Sequence, residues 1–326
     1  YAVFTGAEPN PKIRNVQAGK KMYQDENCDS IITVGGGSAH DCGKGIGIVL
    51  TNGDDISKLA GIETLKNPLP PLMAVNTTAG TGSELTRHAV ITNEKTHLKF
   101  VVVSWRNIPL VSFNDPMLML DIPKNITAAT GCDAFVQAIE PYVSVDHNPI
   151  TDSQCKEAIQ LIQTALPEVV ANGHNIEART KMVEAEMLAG MAFNNANLGY
   201  VHAMAHQLGG QYDAPHGVCC ALLLTTVEEY NLIACPERFA ELAKVMGFDT
   251  TGLTLYEAAQ KSIDGMREMC RLVGIPSSIK EIGAKPEDFE MMAKNALKDG
   301  NAFSNPRKGT VEDIVKLYQK AYDGIY

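Results

Sequence analysis

Ser30-Ile31-Ile32-Thr33-Val34-Gly35-Gly36-Gly37-Ser38-Ala39-His40-Asp41 runs from a short β-branched stretch through three glycines into a helical pattern that continues to residue 51. An apolar run of that length and composition predicts a buried strand, and the residues after the glycines predict a helix. The glycines between them let the backbone approach a diphosphate, and the first amides of the helix supply donors and a positive dipole. The spacing is not G-x-G-x-x-G, so a tight turn needing positive φ accounts for the same residues. A second loop of similar kind, Asn76-Thr77-Thr78-Ala79-Gly80-Thr81-Gly82-Ser83-Glu84, also follows an apolar run. Two such loops at the ends of neighbouring strands would ring one ligand, although a Ser/Thr-rich helix cap is the plainer reading of the second.

Working outward, further short apolar runs lie at 72–76, 88–92, 100–104 and 110–114, with a helical stretch at 11–27 and a polar, proline-broken connection at 52–71. This alternation predicts an α/β unit with a largely parallel sheet covered by helices. From about Thr127 the apolar residues recur at three and four. Helices are predicted over 127–144, 151–172, 177–196, 198–211, 218–232, 236–246, 254–273, 286–298 and 311–321. The expected organisation is an α/β domain over residues 1–122 and an all-helical domain over residues 123–326, with a cleft between them.

The 326 residues carry 38 acidic against 28 basic side chains, a formal charge of −10, with no long basic run. A nucleic-acid or anionic-membrane partner is disfavoured. The eight cysteines lack regular spacing and read as reduced, mostly buried thiols of a cytoplasmic protein. Adjacent Cys219 and Cys220 read as small packing residues and a poor choice for one metal. Met117, Met119, Met291 and Met292 read as core filling. No apolar span of bilayer length and no signal peptide are expected. The opening Tyr1-Ala-Val-Phe-Thr-Gly6 reads as cut from something longer.

Chemistry concentrates in the helical part. Asp133 and Gln137 are four residues apart, as are His202 and His206, and Pro215-His216-Gly217 follows. A spacing of four puts each pair on one helix face. A carboxylate with two or three imidazoles suits a first-row divalent ion such as Fe²⁺ or Zn²⁺ with an open position for substrate. A single such histidine would more simply be a satisfied core residue. His40, His88, His97, His147 and His174 have no partner recognisable in the sequence, and the last four read as surface or structural histidines.

These residues, with the whole string Gly190-Met-Ala-Phe-Asn-Asn-Ala-Asn-Leu-Gly-Tyr-Val-His-Ala-Met-Ala-His-Gln-Leu-Gly-Gly210, resemble the iron-containing (group III) alcohol dehydrogenases over essentially the full length. The likeness is greatest to the 1,3-propanediol-oxidising branch, through 61–65, 100–106 and 296–309. The resemblance implies a dehydroquinate synthase-like fold, with a Rossmann-like N-terminal domain and a helical domain that holds the metal. It implies a cytoplasmic homo-oligomer, a dimer or larger, that interconverts short primary alcohols or diols with aldehydes using a divalent metal and NAD, with NADP left open. Gly35, Gly36, Gly37, Ser38 and Asp41 would lie along the pyrophosphate and nicotinamide. Thr77, Thr78, Thr81 and Ser83 would contact phosphate and ribose, with Lys99 near the ribose. Asp133, His202 and His216 match metal ligands, and His206 matches a neighbour associated with proton relay or substrate contact.

Four departures qualify the expectation. Gln137 stands where the family has its fourth ligand, a histidine, and an amide oxygen is a weaker donor. Leu224-Thr225-Thr226-Val227 replaces Leu-Pro-His-Val, and Ile139-Glu140-Pro141-Tyr142 replaces Glu-Ala-Tyr. Relative to the family, the chain lacks the opening strand, helix and strand of the dinucleotide domain. A catalytically degenerate homologue with a structural or partner-binding role is the alternative expectation.

Overall fold

The computed structural model describes residues 1–96 and 98–325, so the reading of His97 as a surface or structural histidine lies outside the described residues. In the first part α1 (Ile13–Asp25) precedes β1 (Ile31–Gly35), which feeds through the glycines into α2 (Gly37–Thr51). Then come β2 (Gly61–Ile62), β3 (Leu72–Asn76), β4 (His88–Asn93), β5 (Leu98–Val103) and β6 (Val111–Phe113).

The strands form two sheets rather than one. β1, β3 and β6 make a parallel sheet in that order, whereas β2 runs parallel to β5 and β4 runs antiparallel to β5. The largely parallel expectation therefore fails at β4 and β5. They are separated by a short turn, and a connection that short can only reverse the chain. Helix α2 packs against β1, β3 and β4 and so ties the sheets together. A small core of Val16, Ile48, Val49, Ile56, Ala89, Ile91 and Val102 lies beneath it. The covering by helices is one-sided: Ile32, Val34, Val111 and Phe113 remain exposed.

From α3 (Lys124–Val143) onward no strand occurs among the described residues. The sequence continues through α4 (Pro149–Ala171), α5 (Ile176–Ala196), α6 (Tyr200–Tyr212), α7 (His216–Asn231), α8 (Pro236–Val245), α9 (Leu255–Leu272), α10 (Phe289–Ala296) and α11 (Val311–Asp323). Asn148 and Thr310 begin α4 and α11 with capping boxes, satisfying amides that a helix start leaves free. α3 is buried almost all round, against α4, α5 and α7. Helix α7 is also central, in contact with α3, α6, α9 and α11.

That centrality corrects one expectation. With the turn after it, α7 forms a stretch, His216–Ala234, long and apolar enough to cross a membrane by length and composition. Yet 67% of it is buried inside the fold, and a helix packed on all sides needs the apolarity of a membrane span. All eight cysteines are free, six of them buried.

Candidate active site between the strands and the helices

The two glycine-containing loops leave adjacent strand ends, because β1 and β3 pair with Gly35 opposite Asn76. They interlock. Thr77 N–H donates to the Gly35 carbonyl at 3.0 Å, and a Cβ on Gly36 would stand 2.7 Å from Thr78 Oγ1. A Cβ on Gly37 would stand 2.7 Å from the Thr81 side chain. Gly35 has φ of 148°, so the turn does require glycine there as well. The second loop is fastened to the helical part by Gly82 N–H, which donates to Glu186 Oε1 at 2.7 Å. Beneath it Ser83 Oγ donates to Asp41 Oδ1 at 2.7 Å, and the buried Lys44 ammonium donates to the carbonyls of Ser83, Thr86 and His88.

A single cavity of about 570 Å³ joins these loops to the histidines. Gly37, Ser38, Asp41, Thr81, Ser83 and Lys99 line one end, and Asp133, Gln137, His202, His206 and His216 line the other. Gly35, Gly36, Thr77 and Thr78 are not in the lining. They form the loop backbone behind it, where Thr78 Oγ1 is buried without a partner. Lys99 Nζ donates to Asn10 Oδ1 at 2.8 Å, and burial pulls its pKa below the usual lysine value.

At the helical end, α3 contributes Asp133 and Gln137, α6 contributes His202 and His206, and the first residue of α7 is His216. Asp133 Oδ1 lies 3.5 Å from His202 Nε2 and 3.6 Å from His216 Nε2. Close approach of α7 to α3 requires Gly217, since a Cβ there would come within 2.1 Å of the Ala129 carbonyl oxygen. Asp133 Oδ1, Gln137 Oε1 and His202 Nε2 are all buried with no hydrogen-bond partner. Buried polar atoms left without partners cost stability, and a cation held between Asp133 Oδ1 and His202 Nε2, 3.5 Å apart, would satisfy both.

Electrostatics agree with that filling. Burial raises the Asp133 carboxyl, but His216 and His202 outweigh it and hold it below the ordinary carboxylate range. Burial, with Lys99 and the neighbouring histidines, drives His216 well below its usual value against the pull of Asp133. Burial also opposes charge on His202, yet Cys220, Glu140 and Asp133 together raise it well above the usual value. The negative groups that favour a proton there also attract a metal cation, which would displace that proton.

The family models describe the chain in two parts: an iron-containing alcohol dehydrogenase model matches residues 1–116, and the C-terminal model of the Fe-containing alcohol dehydrogenase family matches residues 127–322. The chain belongs to the iron-containing alcohol dehydrogenase family. It is 57% identical over 321 residues to 1,3-propanediol dehydrogenase of Klebsiella pneumoniae, covering 98% of this chain and 83% of that protein. NAD-dependent methanol dehydrogenase of Bacillus methanolicus is 43% identical over 98% of this chain and 84% of its own. The solved alcohol dehydrogenase from Oenococcus oeni is 78% identical, with a TM-score of 0.96 over 99% of this chain and 84% of that one.

Within this family fold, several residues at the site carried no assignment in the sequence. Glu140 accepts from Val201 N–H at 2.7 Å and pairs with His202 Nδ1 at 2.5 Å. It stands seven residues after Asp133 on α3, so helical periodicity was an available signal. Asp299 pairs with His206 Nδ1 at 2.7 Å from 93 residues away, a contact no local pattern announces. His88, read as surface or structural, is half-buried in the cavity lining, its ring 5.4 Å from that of Phe193. Cys220, read as packing, joins Asp133, His202 and His216 in one cluster of potential metal donors. That correction has a helical reason: Cys220 is four residues after His216 and shares its face, while Cys219 is turned about 100° away.

Proposed function

We propose that this protein is an NAD-linked, metal-dependent alcohol dehydrogenase that interconverts short primary alcohols or diols with aldehydes, of the 1,3-propanediol and 3-hydroxypropanal type. The observation that carries the reading is the continuous cavity with glycine loops at one end and the orphaned Asp133, Gln137 and His202 atoms at the other. The name of the 1,3-propanediol dehydrogenase relative supports the substrate class, and that of the methanol dehydrogenase relative supports NAD.

Asp133, His202 and His216 would hold Fe²⁺ or Zn²⁺, with the amide of Gln137 on the cavity side of the ion. A bound ion supplies Lewis-acid polarisation of the substrate oxygen, and a nicotinamide ring supplies the hydride partner. The protein's own residues do the remainder. Gly37 and Ser38 take the pyrophosphate at the start of α2, with Gly35 and Gly36 shaping the turn behind them and Asp41 beside them in the cavity. Thr81 and Ser83 supply hydroxyls and amides to phosphate and ribose, Thr77 and Thr78 support them from the loop behind, and Lys99 stands near the ribose. His206 gives its Nδ1 hydrogen to Asp299, which leaves Nε2 to take up the alcohol proton or return it. The cofactor part is assigned to residues 1–122 and the metal and substrate part to 123–326. Assembly as a dimer or larger homo-oligomer, and work in the reducing cytoplasm, belong to the same reading.

Metal analysis combined with an NAD(H)-linked assay on 1,3-propanediol, ethanol and 3-hydroxypropanal tests it. Turnover should vanish with chelator and return with Fe²⁺ or Zn²⁺. A folded protein that binds no nucleotide would favour the degenerate alternative, for which no relative or site feature speaks. Gln137→His should raise metal occupancy, by about tenfold in Kd, or ~1.4 kcal/mol.

A further inference from the structure

Cys220 is fully buried on α7, and its Sγ lies 3.6 Å from Nε2 and 4.0 Å from Nδ1 of His216. One ligand atom from each of Asp133, His202, His216 and Cys220 falls within 4.8 Å of all the others. A tetrahedral ion with nitrogen or oxygen donors at about 2.0–2.1 Å and sulfur at about 2.3 Å would set its donors roughly 3.3–3.7 Å apart. The observed separations are Asp133 to His202 at 3.5 Å, Asp133 to His216 at 3.6 Å and His216 to Cys220 at 3.6 Å. These three match edges of such a tetrahedron, and the other three lie within 4.8 Å.

We propose that Cys220 is the fourth ligand, completing a set of one carboxylate, two imidazoles and one thiolate. This rests on the reading of Asp133, His202 and His216 as a metal site. Gln137 lines the cavity whereas Cys220 does not, so the sulfur closes the inner side of the site. Substrate oxygen would then enter as a fifth donor from the cavity side, where the neutral Gln137 amide stands. A coordinating thiol gives up its proton to the ion's charge, and the softer donor shifts preference toward Zn²⁺ and away from the Fe²⁺ that an all-nitrogen-and-oxygen set accepts. Cys219 has no part in this: it is turned about 100° around α7 from Cys220.

Cobalt reports the sulfur directly. The purified chain, stripped by chelator and titrated with Co²⁺, should show a near-ultraviolet thiolate-to-cobalt charge-transfer band and intense visible bands of a tetrahedral site. Cys219→Ala should keep both. Cys220→Ser and Cys220→Ala should lose the charge-transfer band and weaken Co²⁺ binding by at least the 10–100-fold that loss of a mere outer partner costs. Circular dichroism on each variant checks that the fold persists, and the serine variant guards against loss of packing in the alanine one. Stoichiometric Co²⁺ uptake without the band in the wild-type chain, or a band that survives in Cys220→Ser, overturns the assignment of Cys220 and leaves the Asp-His-His site standing. A folded wild-type chain that takes up no Co²⁺ overturns both.

Discussion

Glu140 Oε2 stands 2.5 Å from Nδ1 of His202, and this fixes the ring so that Nε2 points at Asp133 Oδ1. Glu140→Gln keeps the shape but removes the charge that orients and strengthens the imidazole donor. Metal affinity should fall by about 10–100-fold, read by competition with a chelating dye, with little change in nucleotide binding. Unchanged metal affinity would show that the pair is a fold contact only.

Gly217 sets the distance between α7 and α3. Gly217→Ala places a methyl against the Ala129 carbonyl, which is backbone and cannot turn aside. The helices must part, taking His216 from Asp133. We expect a loss of about 1–3 kcal/mol in stability by urea unfolding, together with weaker metal binding. Stability and affinity at wild-type values would mean that α7 can shift without cost.

Asp299 holds His206 by its Nδ1 at 2.7 Å. Asp299→Asn should lower kcat about tenfold or more, a fraction of the 10²–10⁴ that a general acid–base group contributes, and leave KM for the alcohol nearly unchanged. A change in KM alone would place Asp299 in substrate binding instead.

His40 is buried behind the glycine loop and hydrogen-bonded to Thr33 Oγ1 at 2.7 Å. Burial, assisted by the Lys44 charge, lowers its pKa from 6.5 to about 4. Between those values the unfolded chain binds a proton that the folded one refuses. The contribution is therefore complete above about pH 6.5 and is lost as pH falls toward 4, amounting to about 3 kcal/mol. Urea unfolding at about pH 7 and about pH 4.5 should show His40→Gln losing less stability than the wild type over the same interval. Equal losses would refute the buried neutral imidazole.

Much of this molecule was legible in local pattern. The strand, glycine turn and helix of 30–51 stand as read, because strand length, a backbone demand for positive φ and helical periodicity are properties of neighbouring residues. The helices from α3 to α11 follow their apolar spacing within a few residues at most ends. Asp133, Gln137, His202, His206 and His216 come to one cavity, as their pairing on helix faces anticipated.

What failed to show locally depended on where helices start and what they meet. Pro215-His216-Gly217 reads as a break, so His216 seemed to precede its helix and its four-residue relation to Cys220 was hidden. In the structure α7 begins at His216, and the glycine is there for contact with α3. The place of His88 in the cavity beside Phe193 and the reach of Asp299 to His206 likewise depend on partners distant in sequence. Sequence by itself determined which faces carry donors, because periodicity is local. Only the tertiary structure decided which donors meet, because that distance is set by packing between helices.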